Sequence, residues 1–141
     1  MTVAKMNPEA KMKILKEFRS NHTQCLGAPR KGDSYCAIGI CALAYQMEHN
    51  IPDAEMWRPV PDTIDQYAIP MKLQSDIARW MKVYINFYLN LPDRGERSVV
   101  TLNDIHHITF PEFADLIEEQ LWVKQYDKMS WNGKPWELWE P

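Results

Sequence analysis

Residues 33–49 read Asp33-Ser34-Tyr35-Cys36-Ala37-Ile38-Gly39-Ile40-Cys41-Ala42-Leu43-Ala44-Tyr45-Gln46-Met47-Glu48-His49. A capping residue, Asp33 or Ser34, is followed by a run that is apolar on every face. A helix of that kind has to be buried. A chain of 141 residues forms one domain and hides one such helix at its centre. The stretch therefore predicts a buried central helix over 34–48, with Cys36 in its opening turn. The fold class that follows is mainly α: a compact single domain of about four helices packed around this one.

The flanking segments supply the other helices. Asn7-Pro8-Glu9 combines an N-cap, a first-turn proline and an acid. Met12, Ile14, Leu15 and Phe18 continue it as an apolar stripe to about residue 19. Pro70 opens a third helix, with Leu73, Ile77, Trp80, Tyr84, Phe87 and Leu91 at spacings of four and three. Thr109 and Glu112 form a capping box for a fourth, with Ile108 and Phe113 placed as a staple. Its inner face reads Phe110, Phe113, Ala114, Ile117 and Leu121.

The connections are less regular. Residues 23–34 hold two glycines and a proline and read as a loop. Residues 50–69 form a long connection with Pro52, Pro59 and Pro61, packing through Met56, Trp57 and Val60. Val99-Val100-Thr101-Leu102 reads as a short extended segment, and Asn103-Asp104 as a turn. Residues 126–141 carry Trp131, Trp136 and Trp139, with Asn132-Gly133 as the turn of a small hairpin. The expected division is a helical domain over 1–125 and a Trp-rich tail over 126–141. That tail either packs on the domain or serves as an interaction arm.

Composition narrows the function classes. The formal net charge of −3 disfavours nucleic acid as a partner. Three cysteines without paired spacing fit a reducing compartment rather than a disulfide framework. The first residues lack the apolar core of a signal peptide, and the central helix is too short to span a bilayer. A cytoplasmic protein with no membrane partner is expected.

Cys36 is the first candidate for chemistry. The positive end of a helix favours thiolate, and Arg30 and Lys31 lie nearby in sequence. His106 or His107 would serve as base, with Asn103 or Asp104 orienting it. The alternative is that Cys36 is a small buried hydrophobe, as free cysteines usually are. Gly27-Ala28-Pro29-Arg30-Lys31-Gly32-Asp33-Ser34 is close to a phosphate loop, but Asp33 stands where the lysine belongs and no strand precedes it. What survives is an anion site of glycines, Arg30, Lys31, Ser34 and a helix N-terminus. Its alternative is a solvated basic turn. The Cys and His spacings match no common metal pattern, so no metal and no cofactor are expected.

Two groups of motifs occur together. One is Thr23-Gln24 followed by Tyr35-Cys36-Ala37-Ile38-Gly39. The other is Leu102-Asn103-Asp104 followed by Thr109-Phe110 and Phe113-Ala114. The pair resembles an uncharacterised family of small proteins of tailed phages and their bacterial hosts. Its members carry Thr-Gln-Gly, Tyr-Cys-Cys-Leu-Gly and Leu-Asn-Asp stretches in this order. Here Cys25 replaces the first glycine and Ala37 replaces a cysteine. The resemblance implies a compact, mostly helical domain of phage or prophage origin and brings no activity with it. It singles out Gln24, Cys36, Gly39, Asn103 and Asp104, and the last two would meet the start of the buried helix.

The functional expectation is a non-catalytic accessory protein that binds a host protein or a small anionic, nucleotide-like ligand in the host cytoplasm. Gln24, Arg30, Lys31, Ser34, Tyr35, Asn103 and Asp104 are the ligand-binding candidates. A counter-defence role follows by association. The alternative is an enzyme with Cys36 as nucleophile and His106 or His107 as base.

Overall fold

A computed structural model of the chain describes residues 2–91, 95–119 and 122–125. The Trp-rich tail and Leu121 lie outside the described residues. The elements run β1 (Thr2–Lys5), α1 (Pro8–Phe18), β2 (Arg30–Lys31), β3 (Ser34–Tyr35), α2 (Ala37–His49), α3 (Asp53–Met56) and β4 (Arg58–Pro59). They continue with β5 (Gln66–Ala68), α4 (Met71–Met81), β6 (Tyr88–Leu91), β7 (Gly95–Ser98), α5 (Val99–Asp104), α6 (Phe110–Glu119) and β8 (Trp122–Gln125).

Helix α2 is the buried centre. Ala37 to Ala42, then Ala44, Tyr45 and Gln46, are all buried. It starts three residues later than the predicted 34–48, because Cys36 is the cap and Ser34-Tyr35 is paired in a strand. It stops at Asn50, which takes a left-handed conformation that asparagine tolerates well. Helices α1, α4 and α5 pack against it, and α6 packs on α1. Phe18 of α1 contacts Phe110 edge-on and stacks on Phe113 of α6. Each such fully buried ring stabilises by about 1.5–3 kcal/mol. The cap residue of α1, Asn7, also ties that helix to the end of α4. Its backbone N–H donates to Met81 O and its Nδ2 to Trp80 O, at 2.8 and 2.9 Å.

The fold is not a pure helical bundle. Two small antiparallel sheets flank the helices, in the orders β1-β8-β6-β7 and β3-β2-β5-β4. The second sheet corrects two expectations. The 23–34 loop contains a tight two-strand turn, in which Gly32 at φ +55° lets β2 fold back on β3. The 50–69 connection is built from α3, β4 and β5 and anchored by Gln46. That buried amide donates to Ile51 O and to Asp53 Oδ1 and accepts from Trp57 Nε1. Met56 and Trp57 are buried as expected, while Val60 is half-buried.

Two further expectations are corrected. The stripe that begins at Leu73 is helical only to Met81. Lys82 adopts φ +62° and ends α4. Beyond it Val83, Ile85, Phe87, Leu89 and Leu91 are buried in strict alternation, and the last part is β6. Residues 99–102 belong to a helix rather than an extended segment. Ser98 caps it, accepting from Thr101 N at 3.1 Å, and Val99 and Leu102 are fully buried. The capping box of α6 forms as read: Thr109 N–H donates to Glu112 Oε1 at 3.1 Å, and Glu112 N–H to Thr109 Oγ1 at 3.4 Å. No helix among the described residues is long and apolar enough to cross a membrane.

Candidate functional site

The site is built on one side chain. Asn103, in the last turn of α5, is 1% exposed. A buried carboxamide needs partners for both ends, and this one has four. Its Oδ1 accepts from Gln24 Nε2 at 2.8 Å and from Ala37 N at 3.1 Å. Its Nδ2 donates to Cys25 O at 3.0 Å and to Asp104 Oδ1 at 2.8 Å. Gln24 Nε2 also donates to Ile108 O at 2.7 Å, and Asp104 Oδ1 accepts from Gly27 N at 3.2 Å. Residues 24–27, the C-terminal end of α5 and the first amide of α2 are thereby joined in one polar lock.

Gly39 completes it. A Cβ there would fall well inside the Pro29 carbonyl oxygen, 3.0 Å from Pro29 C and 3.3 Å from Tyr35 Cβ. Only glycine lets the loop lie on α2 this closely. The Pro29 carbonyl accepts from Cys36 N at 3.1 Å, which fixes the loop against the helix start. The structure thus brings Gln24, Cys36, Gly39, Asn103 and Asp104 together, although they lie up to 80 positions apart in sequence.

Cys36 is a cap rather than a poised nucleophile. Its Sγ accepts from Gly39 N at 3.4 Å, and the residue is 7% exposed. Burial pushes the thiol up to about 11, against the opposing pull of the Gly39 and Ile38 amides. Burial likewise raises the thiols of Cys25 and Cys41. His106 and His107 are exposed, and neither hydrogen-bonds Cys36 among the described residues.

Of the groups expected to hold an anion, the helix amides and Arg30 are otherwise engaged. The first amides of α2 are taken, Ala37 by Asn103 and Gly39 by Cys36. Arg30 lies among the rings of Tyr35, Trp57 and Tyr67, 5.5, 5.5 and 5.1 Å from their centroids. Its Nε donates to Gly32 O at 2.7 Å, and Asp53 and Asp33 lie 3.8 and 3.9 Å from its terminal nitrogens. This cation–π arrangement clamps the second sheet. Lys31 and Ser34 pair across the β2–β3 turn and are half-buried.

Beside the lock lies a cleft of about 270 Å³. Gly27, Ala28, Pro29 and Cys36 form one side. Ile38, Ile69, Ile85 and Val100 give it an apolar lining, with Gln74, Asn86 and Asp104 as its polar side chains. The lining comes from separate segments of the chain, so no local motif marks it in the sequence. Among the described residues no group of three or more His, Cys, Asp or Glu is arranged to hold a metal. No protein-family model matches this chain, and no curated protein or solved structure is significantly similar to it.

Proposed function

We propose that this chain is a non-catalytic accessory protein of phage type that binds a small host molecule in the cleft beside Cys36 and Asp104. It acts in the host cytoplasm, and sequestering that molecule is a means of counter-defence. The observation that carries this reading is the cleft itself: an apolar cavity with a few polar groups, held open by a satisfied polar lock. Ligand sites have that make-up. A cavity of about 150 Å³ holds benzene, so this one accommodates a somewhat larger compact molecule. The phage origin rests on the Thr-Gln, Tyr-Cys-x-x-Gly and Leu-Asn-Asp resemblance. The binding site moves from an anion on the basic loop to the cleft next to it, because Arg30 and the helix amides already have partners.

The test is native mass spectrometry of the protein isolated gently from producing host cells. An adduct on the order of 100–200 Da that is lost on denaturation, and is absent from Val100→Trp, supports the reading. An unliganded mass together with rapid alkylation of Cys36 at neutral pH would favour the cysteine enzyme instead.

A further inference from the structure

The lining of the cleft specifies the charge of its occupant. Among its described residues Asp104 carries the one formal charge. Neither loop cation lines the cavity, and Arg30 is held among three rings on the second sheet. Asp104 Oδ1 receives both of its hydrogen bonds, from Gly27 N and Asn103 Nδ2, so the carboxylate is held in place while Oδ2 accepts none among the described residues. Gln74 adds a second acceptor: one N–H of its Nε2 donates to Ile69 O at 2.8 Å, and its Oε1 accepts no hydrogen bond among the described residues. The cavity therefore offers one negative charge, acceptors at Asp104 and Gln74, the carboxamide of Asn86 and an apolar wall.

We propose that the cleft takes a small organic cation, a primary ammonium on a compact apolar body, with the ammonium at Asp104 and Gln74 and the body against Ile38, Ile69, Ile85 and Val100. The proposal rests on the cleft being a binding site. An ammonium supplies three donors and no acceptor, which matches this polar side. A carboxylate or phosphate of the same size would face Asp104 as a like charge, and among the described residues no cation lines the cavity.

Three probes of similar size separate the possibilities: benzylammonium, benzoate and toluene, each titrated into the full chain and followed by NMR. Benzylammonium is expected to bind at least tenfold more tightly than benzoate. Asp104→Asn keeps an oxygen for Gly27 and Asn103, so it should fold. It is expected to shrink the preference for the cation below about threefold while leaving toluene binding intact. Benzoate binding as tightly as benzylammonium, or an unchanged preference in Asp104→Asn, overturns the proposal and leaves the cleft as a binding site. Failure of all three probes to bind overturns the cleft reading and this proposal with it.

Discussion

Removing the Asn103 carboxamide is the sharpest perturbation of the lock. Asn103→Ala leaves the Ala37 N–H and the Cys25 C=O without their partner inside the protein. Each buried group left unpaired costs about 1–3 kcal/mol. Gln24 and Asp104 keep other partners in Ile108 O and Gly27 N, so their share is small. The expected loss is about 2–5 kcal/mol, a large part of the ~5–15 kcal/mol that holds a domain together. At about 3–4 °C per kcal/mol for a chain of this size, the melting temperature should fall by roughly 6–20 °C. Calorimetry or urea denaturation measures it. Asn103→Asp is the control. It retains the acceptor for Ala37, but it turns an oxygen toward Cys25 O and sets a second carboxylate beside Asp104. It should be at least as unstable as Asn103→Ala at pH 7, and recover in part in acid as the new carboxyl takes a proton. A loss below about 0.5 kcal/mol in both variants, the size of an ordinary surface change, would refute the lock.

Other outcomes follow from the same geometry. Gly39→Ala should cost about 3 kcal/mol or more, since the loop must lift off α2 and release the Cys36 N–H to Pro29 O bond; urea denaturation reads this, and a loss below 1 kcal/mol would contradict the close approach. Native Cys36 should alkylate slowly at pH 8, because its thiol is pushed up to about 11. The same thiol sets a stability trend. The folded state keeps a proton that the unfolded chain releases near pH 9, so stability should be full below pH 9 and fall above it, with Cys25 and Cys41 contributing in the same sense. Fluorescence-detected denaturation across pH 8–11 tests that sign, and Cys36→Ser should make the fall shallower without abolishing it. Arg30→Lys should loosen the second sheet by about 1–2 kcal/mol, since an ammonium cannot lie flat among three rings; hydrogen exchange at Gln66–Ala68 would report it.

Elements whose information is local were legible in the sequence. The all-round apolar run marked α2, Asn7-Pro8 marked α1, and the Thr109–Glu112 box marked α6. Misreadings arose where two signals competed. Val99-Val100-Thr101 has strand propensity, but Ser98 as cap and the burial of Val99 and Leu102 make it helical. The helical spacing of Tyr84, Phe87 and Leu91 hid the alternation of Val83, Ile85, Phe87, Leu89 and Leu91, which is the signal for β6. The two-residue strands around Gly32 were too short for any periodicity to show.

The site was legible in part. The motifs singled out Gln24, Cys36, Gly39, Asn103 and Asp104, and all five meet in the lock. Their roles were not legible. Whether Asn103 caps its own turn or the first amide of a helix 66 positions away is a fact of tertiary packing. Arg30 looked like an anion ligand because Tyr35, Trp57 and Tyr67, which surround it, come from three different elements or connections. The cleft had no sequence signature, since Ile38, Ile69, Ile85 and Val100 are apolar residues like any in the core.

The most direct test is to map where a ligand sits. Benzylammonium added to isotope-labelled protein should shift the backbone amide signals of Gly27, Ile38, Ile69, Val100 and Asp104 saturably, and Val100→Trp should abolish the effect. Shifts centred instead on Met12, Leu15 and Lys16, in the groove between α1 and α6, or spread evenly over the chain, would contradict binding in the cleft.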